Sequence, residues 1–124
     1  MNSSNVKVVN IQEKLSLFSE TWNPKIVGEL NDDKIQLVKI KGKFVWHHHD
    51  NEDEFFMVLS GQLIVHFKDK DYVINEGEFI IVPHGIEHMT EATVETSLLY
   101  IEPKVAINTG NVTEKKTVKN QEVI

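Results

Sequence analysis

Short runs of β-branched, aliphatic and aromatic residues, separated by turn-forming residues, constrain the fold of this chain more than any other feature. The runs lie at 43–49, 54–59, 62–67, 72–75, 79–82 and 97–102. The breaks include Ser60-Gly61, Asp69-Lys70-Asp71, Glu76-Gly77, Pro83-His84-Gly85 and Glu95-Thr96. Many short strands with regularly spaced turns are typical of a β-sandwich or β-barrel and not of a parallel α/β sheet. The sequence therefore predicts an all-β fold.

The two ends of the chain differ from this pattern. Near the start, Asn10 is a suitable N-cap for a short helix near residues 10–20, because Ile11, Leu15 and Phe18 follow at helical spacing. Next, the runs 26–30 and 35–40 flank a polar turn and predict a β-hairpin. The residues after 104 predict a turn and one late strand, with a loose end.

We expect one domain over residues 1–124. It would comprise an N-terminal helix and hairpin (6–41), a central metal-site region (42–92) and a C-terminal strand and tail (97–124). A chain of 124 residues with 40% hydrophobic content can build one core without covalent links.

Composition excludes several function classes. The chain has no cysteine, which rules out disulfides, thiolate metal sites and cysteine nucleophiles. Its net charge of −6 argues against a nucleic-acid partner. We see neither a signal peptide nor an apolar run long enough to cross a bilayer, so we expect no membrane partner and a cytoplasmic protein.

Four residues form a candidate metal site. Side chains alternate along a strand, so a strand over 43–49 would place His47 and His49 on the same face. Glu54 opens the next apolar run and can return beside them, and His88 follows a Pro-x-Gly turn. Three imidazoles and one carboxylate suit a divalent first-row metal. The alternative interpretation is a histidine run on a surface strand, which would leave this ordered set unexplained.

The remaining histidines and acids are weaker candidates. Glu52 and Asp53 are alternative candidates for the carboxylate ligand, but both are predicted to lie in a loop, whereas Glu54 is predicted to begin a strand. His66 is predicted to point away from the core, and His84 to lie in an exposed turn near the mouth of the site. We assign no catalytic residue. Tyr100 and His84 are the nearest polar candidates for a general acid or base.

Both motifs resemble those of the cupin family. The first cupin motif, G-x5-H-x-H-x3/4-E-x6-G, matches His47, His49, Glu54 and Gly61. The second, G-x5-P-x-G-x2-H-x3-N, matches Gly77, Pro83, Gly85 and His88. The chain departs from these motifs at two positions. Gly42 lies one residue too close to His47, and Ala92 replaces the final Asn.

The resemblance implies a single cupin barrel, a double-stranded β-helix of jelly-roll type. It also implies His47, His49, Glu54 and His88 as ligands of a divalent metal such as Fe, Mn, Ni or Zn. Candidate activities are those of an oxygenase, isomerase, epimerase or decarboxylase acting on a small molecule. The alternative is a non-catalytic cupin that binds a small molecule or sugar and has a structural metal.

Strand alternation also suggests an interface. Phe44, Trp46 and His48 would lie on the face opposite His47 and His49, where exposed aromatic side chains need a cover. The N-terminal helix is one possible cover and a second subunit is the other. Together with the resemblance, this predicts a homodimer with Trp46 at or near its interface.

Overall fold

The computed structural model describes residues 3–124 as a β-structure with one short helix. The elements are α1 (Ile11–Leu15), β1 (Lys25–Leu30), β2 (Asp33–Lys43), β3 (Glu54–Ser60), β4 (Gln62–Phe67), β5 (Asp71–Asn75), β6 (Phe79–Val82) and β7 (His88–Pro103). All strand pairs are antiparallel, and the order β1-β2-β7-β3-β6 forms the main path of the sheet. The predicted all-β barrel is confirmed.

The long strand β7 joins the two sides of the barrel. Its first residues pair with β4, and its later residues pair with both β2 and β3. We predicted a break at Glu95-Thr96, and that prediction is wrong. Ile40 pairs with Thr96 and Gly42 pairs with Ala92. A step of two residues in β2 thus lies opposite a step of four residues in β7, and the extra residues of β7 form a bulge. The strand bends at this bulge and continues.

The core lies between the two sides of the barrel. Its buried members include Val38, Ile40, Phe56, Val58, Leu63, Val65, Leu98 and Tyr100. A second, smaller cluster covers the outer face of β2, where Leu15 and Phe18 pack against Leu37. The helix ends at Leu15, well short of the predicted residue 20, and Phe18 packs from the segment that follows it. The Asn10 side chain accepts a hydrogen bond from the Glu13 amide at 3.0 Å, which confirms the N-cap.

Two predictions about irregular segments are wrong. Residues 44–49 do not form a regular strand, because the β2 ladder ends beyond Gly42, whose φ is +85°, and only His47 makes a bridge, to His88. The tail after residue 104 forms no late strand, only an isolated bridge at Val123, and its end is not loose. Val123 bridges to Ile26, and the Ile124 amide donates to the Ile26 carbonyl at 3.0 Å. These bonds use backbone groups of the edge strand β1.

Within residues 3–124, no helix has the length and apolar content needed to cross a bilayer.

Two glycines at strand ends provide a matched test of the turns. Gly61 and Gly77 both have positive φ, at +89° and +81°. A Cβ at Gly61 would lie 2.3 Å from Thr96 Oγ1 and 2.9 Å from the Glu95 carbonyl oxygen, whereas a Cβ at Gly77 meets nothing within 4 Å. We expect Gly77→Ala to lower the free energy of unfolding by about 1 kcal/mol through backbone strain alone. Gly61→Ala should lower it by about 3 kcal/mol, since a steric clash adds to the strain. Urea unfolding of both variants measures this, and equal losses would contradict the predicted clash.

Candidate metal centre

Three parts of the fold bring the candidate ligands together inside the barrel. His47 and His49 lie in the segment between β2 and β3, Glu54 is the first residue of β3, and His88 is the first residue of β7. The amides of His47 and His88 each donate to the other residue's carbonyl at 2.9 Å. This pair of bonds fixes the segment against β7. All four side chains are buried, with 1% to 4% of their residue surface exposed.

Hydrogen bonds to the backbone orient two of the imidazoles. His47 Nδ1 lies 2.8 Å from the Val45 carbonyl oxygen, and His88 Nδ1 lies 2.9 Å from that of Ile86. A carbonyl only accepts, so each Nδ1 carries the proton and each Nε2 of the neutral ring has a free lone pair. Such outer bonds are how proteins orient metal-binding histidines.

The donor atoms converge without bonding to one another. The candidate ligand atoms of His47, His49 and Glu54 lie within 4.8 Å of each other. His88 Nε2 lies 3.1 Å from Glu54 Oε1, and His49 Nε2 lies 3.1 Å from Glu54 Oε2. Nevertheless, His49 Nε2, Glu54 Oε1 and His88 Nε2 are buried atoms of the described chain that have no hydrogen-bond partner. Buried polar atoms without partners are costly, and a cation among them would satisfy all three. The donor set therefore fits a divalent metal.

The electrostatics of the cluster favour the metal-binding forms of His47 and Glu54, but not that of His49. Burial alone would lower the pKa of His49, but its contact with Glu54 raises it, so a metal must compete with a proton at this ring. Burial, reinforced by the neighbouring His88, lowers the pKa of His47 to about 4, so this ring is neutral near pH 7. Burial alone would raise the pKa of Glu54, but His49 and His88 hold it well below its usual range. A neutral imidazole and an ionised carboxylate are the forms that bind metal.

A second carboxyl group lies behind Glu54, and it was missed in the sequence. Phe55 pairs with Ile101 and Phe56 with Tyr100, so Glu54 stands opposite Glu102. The Tyr100 hydroxyl donates to Glu54 Oε2 at 2.6 Å and also lies within hydrogen-bond contact of Glu102 Oε2. Because a hydroxyl has one proton to donate, one of the two contacts needs a protonated carboxyl group.

Glu102 is the group that holds this proton. Burial, together with the charge of Glu54, raises its pKa to about 7. Gln36 Nε2 donates to Glu102 Oε1 at 3.4 Å, and Lys34 Nζ lies 3.6 Å from the same oxygen. The sequence signal was the Tyr100-x-Glu102 alternation within an apolar run. This signal could be interpreted only once the pairing of β7 with β3 placed Glu102 beside Glu54.

The other histidines lie outside the cluster, bound to acids. His66 contacts Asp71 and Glu91, each at 2.7 Å, and points away from the core as predicted. His84 pairs with Asp53 at 2.8 Å, which engages one of the alternative carboxylate candidates at the surface. His48 lies between Asp50 and Glu87.

Phe44 occupies a different place from the one predicted. Its ring meets the His47 ring edge-on, with 5.4 Å between centroids, so the two side chains do not lie on opposite faces. The reason is that residues 44–49 lack the regular strand on which the alternation rule depends. Phe44 and His47 instead line the same cavity, together with Trp22, Phe56 and Tyr100.

Comparison with known proteins identifies the family. The family model described as the cupin domain matches residues 34–111. The chain is a cupin. A cupin-2 domain protein from Shewanella frigidimarina is 40% identical, with a TM-score of 0.77 over 78% of this chain and 95% of that one. The match agrees with the motif resemblance and the barrel.

Two curated relatives of this cupin differ in what their names say. One, from Bacillus subtilis, is 36% identical over 97 residues, which cover 77% of this chain and 80% of the relative, and it is named uncharacterized protein YdbB. The other is an acireductone dioxygenase from Granulibacter bethesdensis, 37% identical over 70 residues. That match covers 53% of this chain but only 39% of the dioxygenase.

The raised pKa of Glu102 predicts how pH affects stability. In metal-free protein, folded Glu102 keeps its proton up to about pH 7, whereas the unfolded side chain loses it near its ordinary value of 4.5. The contribution of Glu102 to wild-type stability should therefore fall as the pH rises between these values, while the lowered pKa of His47 acts in the opposite direction. Glu102→Gln has no such proton to lose. The difference in free energy of unfolding between this variant and the wild type should therefore change in favour of the variant, by up to about 3 kcal/mol, as the pH rises from 4.5 to 7.

Chemical denaturation of chelator-treated wild type and Glu102→Gln at several pH values measures this difference. The His47 titration is present in both proteins, so the difference reports on Glu102 together with the groups coupled to its charge, Glu54 and His49. Parallel curves between pH 4.5 and 7 would show that Glu102 does not hold the proton.

Proposed function

We propose that this cupin is a metal-dependent enzyme of oxygenase type that acts on a small molecule. Its ligands would be His47, His49, Glu54 and His88, binding one divalent ion of Fe, Mn, Ni or Zn. The observation that carries the proposal is the set of buried, unpartnered atoms on His49, Glu54 and His88. Beside them, neutral His47 presents the same kind of donor.

The bound ion would supply an electrophilic centre that polarises a substrate oxygen or binds dioxygen. The chain's own residues orient the ligands and hold a proton. Tyr100 donates to Glu54 Oε2 and thereby fixes the carboxylate. Glu102 holds a proton within reach of the Tyr100 hydroxyl, and burial keeps the pKa of Tyr100 well above its usual value. An ionisable pair next to a metal site is an arrangement typical of acid–base catalysis.

The second candidate function is a non-catalytic cupin that binds a small molecule or sugar and has a structural metal. Complete burial of the four candidate ligands favours it, since structural metal sites are closed. The Tyr100–Glu102 pair and the partial match to a dioxygenase support the enzyme instead. Oxygen uptake by protein loaded with each metal, across a panel of small oxygen-bearing compounds, separates the two. Tight ligand binding without turnover would favour the second candidate.

The metal ligands can be tested by substitution. We expect His49→Ala and His88→Ala to lose stoichiometric metal, since each removes one donor and leaves Glu54 with fewer partners. His66→Ala is the matched control, because it removes a partly buried, acid-bound histidine outside the cluster. Elemental analysis of protein purified without chelating resin measures the content. Full metal in both site variants would reject the assignment.

We also propose that the protein is a homodimer. On the outer face of β6, 59% of the surface of Phe79 and 55% of the surface of Ile81 are exposed. The ring of Phe79 lies beside that of Phe55, with 5.0 Å between the two centroids. Trp46, the residue predicted from the sequence, is half-buried, with the Lys68 ammonium 4.0 Å from the centre of its ring. Exposed apolar patches of this kind are common at subunit contacts.

Light scattering of the wild type, Trp46→Glu and Phe79→Glu tests the dimer and its face. We expect a dimer for the wild type and a monomer for the variant whose residue lies in the interface. A monomeric wild type at micromolar concentration would reject the dimer. A dimeric Trp46→Glu beside a monomeric Phe79→Glu would move the interface to β6.

A further inference from the structure

A small cavity lies beside the candidate metal centre. Its volume is about 40 Å³. Two of its lining residues belong to the cluster, since His47 is a candidate ligand and the Tyr100 hydroxyl bonds to Glu54. About 10–15 Å³ is enough for one water, whereas an apolar cavity that admits a benzene-sized ring has about 150 Å³. The occupant of this cavity is therefore a molecule of very few atoms.

Most of the wall is apolar, and most of its polar side chains have partners elsewhere. The apolar lining residues are Pro24, Val38, Ile40, Phe44, Phe56 and Leu98. The Trp22 indole donates to the Lys41 carbonyl at 3.0 Å. The side-chain amide of Asn108 donates to the Lys116 carbonyl at 2.8 Å and accepts from the Val118 backbone amide at 2.9 Å.

Few side-chain groups are left to bind a polar occupant. Among the described lining side chains, these are the Thr90 hydroxyl and Nε2 of His47, and a bound metal would engage the second. A buried water typically needs two to four polar partners. The wall therefore holds water poorly, whereas an apolar molecule needs no such partners and gains from leaving water.

Trp22 and Phe44 form the mouth of the cavity. They are half-buried, while the other lining residues are buried, so these two rings lie between the cavity and solvent. The rings stack with 4.8 Å between centroids and 15° between planes. The φ of Trp22 is +60°, which a bulky residue rarely adopts, and its amide is held by the Lys39 carbonyl at 2.8 Å. Strained residues held in this way cluster at ligand sites.

A second cavity reaches the same cluster at a different histidine. Its volume is about 180 Å³, and its lining includes His49, Asp50, Asn51, Glu52 and Asn111. Within the described chain, the two cavities have no lining residue in common. The larger one exceeds the volume of about 150 Å³ that admits a benzene-sized ring, and its polar side chains suit an organic molecule with hydrogen-bonding groups. The cluster is thus reached by two spaces of different size and chemistry.

We propose that the small apolar cavity binds dioxygen beside the metal centre. Dioxygen has two atoms, carries no charge and needs no hydrogen-bond partner, so it matches both the volume and the wall. The inference rests on the proposed function, because the metal cluster is what would make dioxygen a reactant. It deepens that function by giving the gas a place of its own, apart from the polar cavity at His49.

Dioxygen is paramagnetic and can serve as its own probe, because it speeds the NMR relaxation of nearby methyl protons. Zinc-loaded protein suits the measurement, since zinc has no redox chemistry and does not consume the gas. Methyl groups of the same buried core fall into two matched sets: Val38, Ile40 and Leu98 line the cavity, and Val58, Leu63 and Val65 do not. On replacing nitrogen by dioxygen, we expect a relaxation increase about threefold or more larger in the first set, where the gas resides. Equal increases in both sets would overturn the proposal.

Two matched substitutions locate the binding. Val38→Leu should fill most of the space and reduce the effect at Ile40 and Leu98 to the level of the second set. Val65→Leu adds the same group away from the cavity and should leave the effect unchanged. Thermal unfolding confirms that each variant folds. An undiminished effect in folded Val38→Leu would overturn the proposal, and the wild-type comparison decides by itself if this variant does not fold.

Water is the competing occupant, and nuclear Overhauser effects from water to the methyl groups of Ile40 and Leu98 detect it. Long-lived water contacts at both, without a selective effect of dioxygen, would show a hydrated cavity and overturn the proposal.

Zinc content, measured on the same samples, separates this inference from the function on which it rests. Stoichiometric zinc without a selective effect of dioxygen overturns the gas cavity and keeps the metal site. A selective, Val38-dependent effect in protein that cannot hold metal supports the gas cavity and overturns the proposed enzyme.

Discussion

The repulsion between two carboxyl groups inside the barrel shapes the rest of the site. Glu54 and Glu102 face each other across β3 and β7, where burial removes the water that would screen them. Two ionised carboxylates this close are unfavourable, so one holds a proton and the other stays charged. The Tyr100 hydroxyl joins them. Glu54 can then face the histidines as an anion, while Glu102 faces Lys34 and Gln36 on the other side.

Much of this fold could be predicted from the sequence because its signals are local. The strands at 62–67 and 79–82 have the predicted bounds, since Gly61, Gly77 and the Pro83 turn mark their ends. The cap at Asn10 is equally local. The bulge in β7 and the C-terminal bridge to Ile26 depend on which strands become neighbours. Composition and periodicity do not contain that information.

The site divides in the same way. His47, His49 and Glu54 could be found from spacing, and they converge even though the segment that carries the two histidines is not a regular strand. The His47–His88 backbone pair holds the segment instead. Phe44 was misplaced because the alternation rule holds only within a strand. Glu102 was overlooked because its partner, Glu54, is 48 positions away in the sequence and only the β3–β7 register brings the two together.

Local costs accumulate at one end of this barrel and have a common consequence. The unpartnered donors of His49, Glu54 and His88, the left-handed backbone of Trp22 and the proton held by Glu102 all oppose folding in the absence of ligands. The apolar cluster around Val58, Leu63 and Val65 carries none of these costs. Binding a cation at the donors offsets part of this cost, and only in the folded state. The same features that make the site competent to bind therefore link its occupancy to the stability of the whole fold.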